Sequence, residues 1–360
     1  NVVGNRLILS YLSNGATRAV VTDLSGHPLR GLVLNAIGTA GGFDGKPGDP
    51  ETFYSFSSFA QPTAIYRLDL ETGRTAPFAR PAVGFDPKDY LVERRLFTSK
   101  DGTRVPIFVV RAKAVAAQGR PVPTLLYGYG GFDVMQVPGF SATRMAWLQS
   151  GGAFALANLR GGGEFGDEWH DGGRLANKQN VFDDFIAAAE FLIAAGIAPH
   201  DGLAIQGGSN GGLLVGAVVN QRPDLFAAAN PDVGVMDMLR FDRFTAGRYW
   251  VGDYGRPDRE ADWRVLRAYS PYHNIGPKAG HGAYPAILVT TADSDDRVVP
   301  GHSFKYAAAL QSADLGAKPH LIRIETRAGH GSGKPTDKVI ESGADVLAFL
   351  AYWSGLQLER

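Results

Sequence analysis

The chain contains no cysteine. That excludes disulfides, a thiol nucleophile and thiolate-bound zinc or iron–sulfur centres. It leaves both reducing and oxidising compartments open, so a cytoplasmic or a periplasmic home fits equally. There is also no apolar run of about 18 residues, the length a membrane-spanning helix needs. Charge excess is missing too. Lys and Arg number 36 and so do Asp and Glu, for a formal net charge of zero. This balance argues against a nucleic-acid or anionic-membrane partner, either of which calls for a basic surplus. The first residues, Asn1-Val2-Val3-Gly4, show neither Met nor a leader pattern, which reads as a mature or cut chain. What is present is the composition of a soluble globular protein, 44% hydrophobic and 20% charged. Its 360 residues allow two domains or one large one.

Two patterns divide the chain. Residues 1–80 hold short runs rich in β-branched and aromatic residues, at 6–12, 17–23, 52–57 and 63–70. Turn residues such as Ser13-Asn14-Gly15 and Ser25-Gly26-His27-Pro28 separate them. The glycine-rich segment 38–50 reads as a loop. The block suits a small β-sandwich or one to two propeller blades, and at about 40–50 residues per blade it is too short for a closed ring. Residues 81–89, with two prolines and a glycine, read as a linker. From there to residue 360 strands alternate with helices. Tyr90–Ser99 and Arg104–Val110 flank an Asp101-Gly102 turn, and 124–127, 153–157, 203–206, 286–291 and 321–325 follow as strands. Phe182, Phe185, Ile186, Ala189, Leu192 and Ile193 recur at helical spacing, with Asp183, Asp184 and Glu190 on the opposite face. Further helices are expected from Ser303 to about Ala313 and from Thr336 to Trp353. The expected fold is α/β, a mostly parallel sheet covered by helices on both faces, preceded by a partial β-propeller.

The stretch Leu203-Ala204-Ile205-Gln206-Gly207-Gly208-Ser209-Asn210-Gly211-Gly212 organises the second pattern. A buried-type strand stops at paired glycines, a serine follows, and an apolar helix begins. Gly207-x-Ser209-x-Gly211 is the G-x-S-x-G elbow, which lifts a serine onto a strained turn beside a helix N-terminus. A serine needs a base and the base an orienting acid. On such sheets the chain order is serine, acid, histidine. His27, His170 and His200 precede Ser209, while His273 and His281 precede the best acids. His302 would open a helix and His320 a strand, both with surface readings. His330, in the glycine-rich loop 328–333, is the favoured base. Asp293, Asp295 and Asp296 lie in the loop after the strand at 286–291, and spacing does not choose among them. Gly161-x-Gly163-x-x-Gly166 matches a dinucleotide fingerprint, but the helix that pattern requires does not open at once, so a structural loop is the better reading.

Several motifs together resemble the prolyl oligopeptidase family. They are residues 126–132 (LYGYGGF), 158–164 (NLRGGGE), 207–212 (GGSNGG), 295–300 (DDRVVP) and 328–331 (AGHG). The likeness extends from about residue 85 to 360. It implies an α/β-hydrolase domain capped by a seven-bladed propeller, and a serine peptidase that cuts short peptides on the carboxyl side of proline without metal or cofactor. Carried over by position, it implies Ser209 as nucleophile, Asp295 as acid and His330 as base. Tyr129 and the N–H of Asn210 would hold the oxyanion. Trp250 would lie flat on the proline ring, with Phe132, Val235 and Tyr254 as walls and Arg297 on a substrate carbonyl. The rest of the propeller would then be a partner lying outside this sequence, and a monomer is expected. A sister oligopeptidase of basic-residue specificity, a carboxylesterase on the same sheet and a non-catalytic binding module are the alternatives.

Overall fold

The computed structural model describes residues 1–34, 36–276, 282–331 and 333–358. His281 and Ser332 thus lie outside the described residues. Two compact units emerge, one from residues 1–92 with 137–145, the other from 93–136 with 146–360.

The first unit carries two four-stranded antiparallel sheets in simple meander order. One holds β1 (Val2–Val3), β2 (Arg6–Ser13), β3 (Ala16–Thr22) and β4 (Pro28–Gly31); the other holds β5 (Thr39–Asp44), β6 (Glu51–Ser57), β7 (Ala64–Asp69) and β8 (Thr75–Ala79). Asn14 and Gly15, both at positive φ, close the β2–β3 hairpin, as its right-handed strand twist demands. Alternation sets the inward face: Thr52, Tyr54 and Phe56 are buried along β6. Tyr54 stacks between Phe43 and Tyr66, at ring separations of 5.0 and 5.4 Å. The expected loop at 38–50 is corrected here, because it contains β5. Gly41 and Gly42 pair with β6 across a bulge, and Phe43, at φ 65°, drops into the core. Glycine content marked a bulge, not a break in pairing.

The second unit is built on an eight-stranded sheet. Its strands are β9 (Tyr90–Thr98), β10 (Arg104–Ala112), β11 (Thr124–Tyr127), β12 (Ala153–Ala157), β13 (Leu203–Gly208), β14 (Ala228–Asp232), β15 (Ala286–Ala292) and β16 (His320–Glu325). They lie in the order β16-β15-β14-β13-β11-β12-β10-β9. From β12 through β16 every neighbouring pair is parallel, and β10 is antiparallel to β12. The helices among the described residues are α1 (Lys113–Ala117), α2 (Ala142–Gln149), α3 (Asp167–Asp171), α4 (Gln179–Ala194), α5 (Asn210–Gln221), α6 (Val251–Tyr254), α7 (Glu260–Tyr269), α8 (Gly301–Ser312) and α9 (Thr336–Ser354). None is long and apolar enough to cross a membrane. Because the strands are parallel, the loops after β13, β14, β15 and β16 all leave from one edge of the sheet.

Two expectations fail for tertiary reasons. Asp184 is not on the wet face of α4. It is fully buried, and both its oxygens are engaged by Arg160, which also reaches Asp101, while Ser99 donates to it. A charge can be interior when it is paired and hydrogen-bonded. β14, Ala-Ala-Asn-Pro-Asp, was not recognised as a strand at all. It lacks β-branched residues and carries Pro231, yet it lies between β13 and β15 with its alanines fully buried. Asn230 supplies side-chain donors to Leu288 O and Thr290 Oγ1, partly replacing what proline cannot give.

Candidate active site

Ser209 stands between the last residue of β13 and the first of α5, at φ 58° and ψ −116°. A non-glycine residue there is strained, and the surroundings must hold it. Its own N–H donates to Asp232 O at 2.8 Å, and its carbonyl accepts from Gly212 and Leu213. A Cβ at Gly207 would collide with Gly211 O, and one at Gly211 would come within 2.7 Å of Gly128 O. The two glycines let the turn close against the strand β11 loop. Asn210 begins α5, so its N–H has no acceptor within the helix.

The neighbouring loops complete the edge. Asp295, only 3% exposed, follows β15. Its Oδ1 accepts from the N–H groups of Arg297 and Val298 at 3.0 and 2.9 Å, and its Oδ2 pairs with His330 Nδ1 at 2.7 Å. Of the three aspartates left open by spacing, Asp295 is the one bonded to His330. Asp293 is exposed and bonds Ser294 Oγ, and Asp296 is exposed. With a proton on Nδ1 donated to Asp295, the His330 ring presents a lone pair at Nε2. Between the β13 and β15 loops lies Asp232, unflagged in the sequence. Thr290 Oγ1 donates to it at 2.6 Å, and desolvation raises its pKa, with His330 and Asp295 close enough to act on it electrostatically.

Tyr129 stands close enough to Ser209 for the serine side chain to act on its phenol. Desolvation raises its pKa, so at neutral pH the phenol is a donor. Phe132 and Asp133 follow at φ 57° and 58°, two consecutive left-handed residues. Phe132, Tyr254, Phe241 and Trp250 form one aromatic cluster. Trp250 stacks on Phe241 with 9° between planes, and Tyr254 meets the edges of Phe132, Phe241 and Trp250. Phe132 and Trp250 are half-buried, whereas Tyr254 and Val235 are each 1% exposed. The exposed Arg297 acts electrostatically on Tyr129. Phe241 was missed in the sequence, where it looks like any loop aromatic.

The other histidines fall elsewhere in the network. His302 and His320 were expected at the surface. His302 is fully buried in α8, with Nδ1 accepting from Asp237 N, and burial lowers its pKa to about 4. His320 is half-buried, its Nε2 enclosed and without a hydrogen-bond partner. His170 bonds Asp253 at 2.7 Å. The glycine motif at 161–166 leads only into the five-residue α3, and Glu164 from that loop turns inward to Gln136 N and Asn158 Nδ2. A carboxylate in that place is the wrong sign for a phosphate cradle. Among the described residues no cluster of histidine and carboxylate side chains is poised to hold a metal.

Comparison with known proteins gives the same picture. Residues 138–357 match the model of the prolyl oligopeptidase family, and residues 1–81 match its N-terminal β-propeller domain. A curated relative, prolyl endopeptidase of Elizabethkingia miricola, is 43% identical over 99% of this chain and 50% of its own length. A solved structure from a study of two prolyl endopeptidases superposes with a TM-score of 0.90 at 61% identity, over 99% of this chain and 50% of that one. Prolyl oligopeptidase B of Galerina marginata, solved with a 35-residue hydrolysis and macrocyclisation substrate, gives 0.92 at 37% identity, covering 100% of this chain and 51% of that one. The chain spans about half the length of the curated relatives it matches. With a serine elbow, a propeller-type β region and matches to both domain models, this chain belongs to the prolyl oligopeptidase family.

Proposed function

We propose that this chain carries the catalytic domain of a serine peptidase that hydrolyses short peptides on the carboxyl side of proline. The observation that carries the reading is the Asp295–His330 bond, made at the sheet edge where the Ser209 elbow also ends. In this mechanism Ser209 Oγ attacks the scissile carbonyl while His330 Nε2 takes its proton. Asp295 stabilises the imidazolium that forms. The Tyr129 hydroxyl and the Asn210 N–H hold the developing oxyanion. Removing one such donor typically costs about 3–4 kcal/mol of transition-state stabilisation. His330 then returns the proton to the leaving amine, and water repeats the sequence on the acyl-enzyme.

The half-exposed Trp250, with Phe132, supports proline as the residue before the cut. A pyrrolidine ring has no N–H to satisfy and suits a flat apolar face. Arg297 is suited to a substrate backbone carbonyl. Oligopeptidases that prefer basic residues need acidic pocket walls, and the aromatic cluster offers none. An apolar pocket discriminates by only about 1–3 kcal/mol per methylene, so alanine should be accepted at a reduced rate. The partners are then short proline-containing peptides and the rest of a propeller, with a monomer as the working unit in the cytoplasm or periplasm.

The test compares Pro, Ala and Arg chromogenic peptides, together with fluorophosphonate labelling mapped by mass spectrometry. Fastest turnover of the Pro substrate, label on Ser209 and no turnover by Ser209→Ala are expected. Turnover by Ser209→Ala overturns the mechanism. Preference for Arg overturns the specificity, and activity on simple esters alone points to a carboxylesterase.

A further inference from the structure

A lysine lies buried behind this site. Lys178, 1% exposed, is the residue that leads into α4. Both its burial and its place at a helix N-terminus disfavour a positive charge there. Its surroundings explain why it is kept. Nζ donates to Gly130 O at 2.8 Å and to Asn210 Oδ1 at 3.1 Å. It lies 5.4 Å from the centre of the Tyr254 ring and 3.9 Å from Asp253 Oδ2. That carboxylate oxygen has no hydrogen-bond partner, so the lysine is its compensation. Asp253 Oδ1 meanwhile accepts from His170 Nε2 at 2.7 Å and from Phe132 N at 3.2 Å.

The links run outward from this pair to both halves of the site. The Asn210 amide is held on each side: Oδ1 by Lys178 and by the Tyr254 hydroxyl at 2.9 Å, Nδ2 on Tyr129 O at 2.6 Å. Asn210 follows Ser209 in the chain, and Gly130 follows Tyr129. The Nζ therefore holds the carbonyl of the residue after Tyr129 and the side chain of Asn210 itself, one link from each oxyanion donor. Asp253 in turn holds the left-handed Phe132.

We propose that Lys178, balanced by Asp253, is a positioning residue whose charge brings the Tyr129 hydroxyl and the Asn210 N–H to one point. This rests on the peptidase reading above. Lys178 touches no reacting atom and acts through Gly130 and Asn210. A placement error of about 1 Å costs on the order of a hundredfold in rate, so its loss should appear in kcat. The groups facing its Nζ are Asp253, with His170 behind it, and Tyr254, while Tyr129 lies one link away. Burial lowers the Lys178 pKa to about 8, and both phenols have raised pKa values. Loss of the Lys178 proton then gives the wild-type rate an alkaline limb near pH 8.

The test uses the purified protein with a proline chromogenic peptide and measures pH profiles and fluorophosphonate labelling rates. Lys178→Met should lower kcat by about ten- to a hundredfold, with KM within threefold, and should remove the alkaline limb. Labelling should slow in parallel. Asp253→Asn keeps the cation but removes its counter-charge. It should move the alkaline limb to lower pH and raise KM through Phe132, and it serves if Lys178→Met does not fold. A folded Lys178→Met variant with kcat within twofold of wild type overturns the proposal. So does an unmoved alkaline limb in both variants. A wild-type protein inactive on every proline peptide overturns the peptidase reading instead.

Discussion

The two sides of the site are held in different ways. On the serine side, close packing does the work. Gly207 and Gly211 sit where a Cβ would meet backbone oxygens, and Asn210 has every side-chain atom bonded. On the imidazole side, Asp295 bonds His330, and Gly329, Gly331 and Gly333 border open space. The contrast teaches that glycine near a candidate site can mean two things. Before and after Ser209 it allows contact. Around His330 it leaves a loop uncrowded.

If the imidazole side depends on that bond, Asp295→Asn should be the most damaging subtle change. It keeps the shape but favours the wrong tautomer, and the loss in kcat should reach about a thousand- to ten-thousandfold by steady-state assay. A loss under tenfold would show that the loop holds His330 without help. Next in size is the serine side. Gly211→Ala must push against Gly128 O and should cost about 1–3 kcal/mol in a denaturant melt, with activity falling alongside. Acid should act through His302, which ties the first turn of α8 to the backbone at Asp237. Its pKa is about 4 in the fold against about 6.5 when unfolded, so the unfolded chain binds the extra proton. Its contribution is therefore complete above pH 6.5 and is lost as pH falls toward 4. His302→Gln should flatten that part of a stability–pH curve. Smallest of all, Gly329→Ala should leave melting within about 0.5 kcal/mol, since nothing lies within reach of the added methyl. A large effect there would erase the distinction between the two kinds of glycine.

What the amino-acid sequence made legible were features written locally. The elbow at 207–211 announces itself by strand, glycines and helix, and the serine–acid–histidine order narrows the partners. Features written by the fold stayed hidden. Asp184 reads as a surface charge, because only the counter-charge on Arg160, distant in sequence, makes its burial tolerable. His302 reads as a helix-opening surface residue, because the backbone N–H of Asp237 that it meets lies 65 positions earlier. β14 lacks the usual strand vocabulary, and its place in the sheet comes from pairing with β13 and β15 on either side.

The paired left-handed residues at 132 and 133 carry a longer-range consequence. Each such conformation costs about 1–3 kcal/mol and persists only while its surroundings insist on it. Asp253 does part of the insisting, through the Phe132 N–H, so one end of the aromatic cluster is set by a carboxylate that is not among its rings. A substitution at position 253 would thus relax the backbone at 132 while every ring of the cluster kept its identity.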